Sequence, residues 1–210
     1  GTATYFREML RLVMTADRPR RNQFYTEWDY EEAVREYEEN PLYGWCHKNV
    51  KADGTPYNIY RDGLKIYTTI NSTMQAYAER AVQKQLQSVI QPAMDAQYRR
   101  TKTLFLNTTQ EERNRIMRQA IRYSDRYREM KEAGFSEKQI AESFDTKCPM
   151  KVFTYRGERD TLMTPRDSIL HHKRIMRAAM VALDPRTGAV KAYVGGPNFR
   201  YFKYDMAKQG

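Results

Sequence analysis

The 210-residue sequence has no hydrophobic run approaching the ~18 apolar residues that a membrane helix requires, and no signal peptide opens it. It holds only two cysteines, Cys46 and Cys148. They allow one disulfide at most, and spacing leaves open whether they meet. Histidine is almost as scarce, at three residues, and His47, His171 and His172 combine with the cysteines in no known metal-ligand spacing. No metal site and no cofactor is therefore expected. Catalytic signatures are missing too. There is no Ser-x-x-Lys, no Gly-x-Ser-x-Gly and no Gly-rich phosphate loop. No residue is singled out as catalytic, cofactor-binding or metal-binding.

Charged residues make up 30% of the chain and hydrophobic ones 40%, enough for a lean core. The formal net charge is +10, which raises the question of a nucleic-acid surface. Its distribution argues otherwise: "EWDYEEAVREYEE" (27–39) is acidic, "RPRRNQ" (18–23) and "YRRTKT" (98–103) are basic, and elsewhere the signs alternate as on a solvated helix face. "MKEAGFSEKQIAESF" resembles half of a helix-turn-helix, with Lys138 and Gln139 as its base-reading candidates among Glu137 and Glu142. A basic nucleic-acid-binding protein is thus the alternative reading, but no nucleic-acid partner is expected. The 16 tyrosines suit the edges of helices and strands, where ring and hydroxyl face different media.

Periodicity predicts an α+β chain. Tyr5, Phe6, Met9, Leu10 and Val13 share one helical face, and an acidic helix over 27–39 ends at Asn40-Pro41. Leu64, Ile66, Thr68 and Ile70 alternate as in a strand. Asn71 can cap the next helix, and Ser72-x-x-Gln75 is a possible capping box. Residues 93–145 read as helical, with capping boxes Thr109-x-x-Glu112 and Ser136-x-x-Gln139 and a helix stop at Gly134. "PMKVFTYRG" (149–157) reads as a strand, and Thr164-Pro165-Arg166-Asp167 opens a further helix. "MVALDPRTGAVKAYV" (180–194) is a bulged hairpin turned by Pro185 and Gly188. The expected architecture is one small antiparallel sheet containing 63–70, 151–156 and 180–194, with a largely helical inserted lobe.

Three stretches carry a family likeness: "YFREMLR" (5–11), "GLKIYTTINSTMQAYAERAV" (63–82) and "MVALDPRTGAVKAYVGGPNFRYFKYDMAKQG" (180–210). Together they resemble the class A penicillin-binding proteins, bifunctional peptidoglycan synthases. The first is similar to the segment leaving the glycosyltransferase domain, the second to the following linker, and the third to the opening of the transpeptidase domain. The likeness implies four segments. Residues 1–62 are a linker after an absent glycosyltransferase, and 63–90 a linker strand and helix. Residues 91–172 are a helical insertion module without a general family pattern, and 173–210 the first hairpin of a truncated transpeptidase domain. It implies a non-catalytic inter-domain scaffold on the periplasmic side of the bacterial inner membrane. The parent would be an enzyme, while this chain lacks both active sites. Partners would be the rest of the parent chain and peptidoglycan or cell-wall regulatory proteins reaching 91–172. Membrane attachment would come only through an N-terminal anchor outside this sequence.

Overall fold

A computed structural model describes residues 1–209; Gly210, the last residue of the expected hairpin segment, lies outside the described residues. The chain opens with helices α1 (Thr4–Met14), α2 (Glu27–Glu39), α3 (Trp45–Lys48) and α4 (Ser72–Gln85). Helices α5 (Gln91–Thr101), α6 (Gln110–Arg122), α7 (Asp125–Glu132) and α8 (Glu137–Asp145) follow. Strands β1 (Cys148–Thr154) and β2 (Gly157–Met163), then α9 (Pro165–Arg174), lead to β3 (Met180–Leu183), β4 (Val190–Val194) and α10 (Met206–Gln209). The architecture is α+β, with two separate two-stranded antiparallel sheets, β1–β2 and β3–β4. Two compact units form, residues 1–79 with 179–210 and residues 80–178.

In the first unit the core comprises Tyr5, Met14, Tyr37, Cys46, Ala78, Ala192, Tyr193, Val194 and Phe202. Helix α1 packs on β4 and α3. The hairpin forms as its turn chemistry dictates. Asp184 accepts the Arg186 N–H through Oδ1 at 2.9 Å, and the Gly188 N–H bonds to Asp184 O at 2.8 Å. Gly188 sits at φ 71, where a Cβ would be strained, and the register shifts between Ala182 and Leu183.

The single expected sheet is not what forms. Residues 63–70 belong to no ladder, and among the described residues their backbone makes no backbone hydrogen bond. The end of the segment is bonded to the hairpin: Thr69 Oγ1 donates to Val190 O at 2.7 Å, and the Asn71 N–H to Lys191 O at 2.9 Å. The segment keeps strand alternation without strand pairing: Leu64, Ile66, Thr68 and Ile70 line a groove together with α1. Of the expected strand 151–156, residues 151–154 pair with β2, a strand without a sequence signal, and Tyr155 and Arg156 form the turn between the two. The Gly157–Asp160 half of β2 is charged and exposed, so no period-2 signal marks it.

The second unit buries Leu86, Ile140, Phe144, Val152, Tyr155 and Ile175, with α8 and β1 packed on α9. Its helix ends follow the local signals. Thr109 and Ser136 close reciprocal boxes with Glu112 and Gln139, and Thr164 Oγ1 accepts the Asp167 N–H at 3.0 Å. Gly134, at φ 84, closes α7 in a Schellman motif: its N–H bonds to Lys131 O and that of Phe135 to Met130 O, both at 3.1 Å. The helical stretch is interrupted at Ser124, which caps α7 through the Tyr127 N–H. Between α4 and α5, Leu86–Ile90 forms a π turn, with the Gln91 N–H bonded to Leu86 O. Pro92 explains the widening: it has no N–H to donate, and its ring would crowd the preceding turn of a regular helix.

Candidate functional site

A set of long-range polar contacts lies in the first unit, where the start of α1, α4 and β4 converge on Gln75 and its neighbour Glu79. The Gln75 side chain is 1% exposed. Its Oε1 accepts the Tyr193 N–H at 2.7 Å and its Nε2 donates to Tyr193 O at 2.9 Å. The amide thus takes the place of a neighbouring strand along β4. Nε2 also donates to Glu79 Oε1 at 2.8 Å, and the same carboxylate oxygen accepts the Ala3 N–H at 2.7 Å. That bond holds Ala3 at φ 53, a left-handed conformation costing about 1–2 kcal/mol, at the start of α1.

The possible capping box Ser72-x-x-Gln75 does not form. The cap is Asn71 alone, whose Oδ1 accepts the Met74 N–H at 3.0 Å. Ser-x-x-Gln has the same spelling whether its glutamine turns back to the cap or inward, so the node gave no local signal.

Beyond the node, Tyr193 Oη donates to Asp205 Oδ2 at 2.8 Å, and Asp205 Oδ1 accepts the Ala207 N–H at 3.0 Å, fastening the start of α10. Burial raises the Tyr193 phenol above its ordinary pKa, and the Asp205 carboxylate adds to the effect. Tyr5 Oη donates to Phe202 O at 2.6 Å. The "VGG" glycines have a steric reason: a Cβ on Gly195 would stand 2.8 Å from Tyr5 Cδ1, and one on Gly196 2.5 Å from Tyr5 Oη. Beside this node runs a groove of about 780 Å³, lined by α1 and by Leu64, Ile66, Thr68 and Ile70.

The groups that carry chemistry elsewhere have structural partners. Cys46 and Cys148 are both free thiols. Burial pushes the Cys46 thiol up, with the charge of Asp62 reinforcing the shift, which disfavours a reactive thiolate. His171 Nε2 lies 2.8 Å from Phe153 O, joining α9 to β1, and His47 Nε2 lies 3.2 Å from Thr15 O. Among the described residues no group of three or more His, Cys, Asp or Glu side chains could hold a metal ion. In the helix-turn-helix-like corner, Gln139 spends its Oε1 on the Ser136 N–H at 2.9 Å. Ile140 and Phe144 face inward, each 1% exposed, so the corner is built as a packed helical turn. These contacts position elements; none assembles a nucleophile with a base.

Residues 100–176 match the penicillin-binding protein middle domain. The match covers α6 to α9 with the β1–β2 hairpin, the greater part of the second unit. It corrects the expectation that the helical middle of the chain follows no general family pattern. A penicillin-binding protein middle region points to a cell-envelope protein engaged in cell-wall synthesis. No curated protein and no solved structure matches the chain.

Proposed function

We propose that this chain is a non-catalytic, inter-domain scaffold region of a class A penicillin-binding protein of the 1A type. Such a protein is a bifunctional peptidoglycan glycosyltransferase and DD-transpeptidase acting on the periplasmic side of the inner membrane. The observation that carries the reading is the middle-domain match over 100–176, flanked by the stretches that resemble the family's linker and transpeptidase opening. The Gln75 node supplies the mechanics. It ties α1, similar to the segment leaving the glycosyltransferase, to the hairpin similar to the transpeptidase opening, through one buried amide and one carboxylate. A buried, fully bonded polar node fixes geometry more sharply than apolar contact does, since each bond tolerates little misalignment. The second unit is the part of the scaffold on which cell-wall regulatory proteins or peptidoglycan would dock.

The test is made in the whole synthase. Gln75→Leu, assayed at a temperature where circular dichroism shows it folded, is expected to preserve glycan polymerisation from lipid-linked disaccharide and to lower peptide cross-links per new strand. Loss of both activities together, or of neither, contradicts the reading.

A further inference from the structure

In the second unit, α5 and the β1–β2 turn enclose a cleft of about 600 Å³. Three arginines line it: Arg99 from the basic stretch "YRRTKT", and Arg156 and Arg159 from the turn and the start of β2. Among the described residues no ion pair or side-chain hydrogen bond occupies any of the three. Each of the two carboxylates in the lining has a cationic neighbour outside it. Asp95 accepts from Gln91 Nε2 at 3.1 Å and lies 3.3 Å from Arg174 Nε, a contact of charge without hydrogen-bond alignment. Glu158 lies 3.8 Å from Lys151 Nζ. The wall is fixed from behind: Gln91 Oε1 accepts the Met176 N–H at 2.8 Å, and Tyr155 Oη donates to Met176 O at 2.6 Å.

We propose that this cleft binds an acidic peptide segment. Arginine is the only cationic residue type in the lining, and its planar fork matches carboxylates two bonds at a time. The mixed lining selects the class of anion. A compact phosphate would bring its whole charge close to Asp95 and Glu158. A peptide spaces its carboxylates along a chain and offers N–H donors that those two residues and the Gln87 amide can meet. The inference goes beyond the scaffold reading and does not depend on it.

The test is calorimetric titration of the 210-residue protein with a blocked hexapeptide alternating glutamate and alanine. Parallel arms use the glutamine–alanine analogue and inorganic pyrophosphate. The glutamate peptide is expected to bind, more weakly as salt rises, and the glutamine analogue not to bind. Each of Arg99→Gln, Arg156→Gln and Arg159→Gln should weaken binding ~10-fold, the worth of one charge-assisted bond pair, with the melting curve unchanged. Arg118→Gln, on the exposed surface of α6 outside the cleft, should bind as the parent does. Absent binding, binding retained by the triple variant, or pyrophosphate binding as tightly as the glutamate peptide overturns the proposal.

Discussion

Replacing Gln75 by leucine leaves the buried Tyr193 N–H and C=O without the amide that pairs both, and takes from Glu79 Oε1 the donor it shares with the Ala3 N–H. Two unsatisfied backbone groups cost about 2–5 kcal/mol. Both tryptophans, Trp28 and Trp45, lie in the first unit. The loss is therefore expected as a lower denaturant midpoint read by tryptophan emission, and an unchanged midpoint would contradict the node. Tyr193 adds a pH dependence of definite sign. Its folded pKa is raised above the ordinary 10.0, so the stabilising neutral phenol is intact below that value, and its contribution falls as pH climbs past it. Unfolding midpoints compared between about pH 8 and about pH 11 should fall more for the parent than for Tyr193→Phe. At this scale little was legible in advance: a glutamine one turn into a helix looks the same whether it caps, faces water or bonds across 118 residues.

At the scale of elements, local chemistry was readable wherever the deciding partners lie within a few residues. Thr109, Ser136 and Thr164 cap their helices, Gly134 ends α7, and Gly188 turns the hairpin. Ser136→Ala should cost about 1 kcal/mol by loss of a reciprocal box, and Phe144→Ala about 3–5 kcal/mol by opening a cavity, both read by far-ultraviolet circular dichroism in urea. Where partners are distant, pattern misled. Leu64, Ile66, Thr68 and Ile70 spell a strand, yet they line a groove shared with α1, and among the described residues their backbone makes no backbone hydrogen bond. Hydrogen exchange separates the two states: amides of residues 64–69 should exchange rapidly, while the Asn71 amide, bonded to Lys191 O, is protected. Slow exchange across 64–69 would restore the expected ladder. β2 was missed for the converse reason, since pairing with β1 overrides a charged stretch of weak strand propensity.

For the whole molecule, composition and missing motifs excluded a great deal and identified little. The class A likeness came from stretches that lie in the first unit except for residues 80–82, while the middle-domain match falls in the second, where charge and helical periodicity spoke only of a solvated lobe. The proposed cleft belongs to that part as well. Its arginines come from stretches more than fifty residues apart, and only the meeting of α5 with the β1–β2 turn makes them one feature. The proposed non-catalytic scaffold role in a penicillin-binding synthase is tested most directly with fluorescent penicillin. Under conditions that label an authentic transpeptidase, the 210-residue chain should remain unlabelled, while the full product of its gene should carry a covalent, β-lactam-competable label. Labelling of the 210-residue chain, or a full gene product that takes none, would contradict the account.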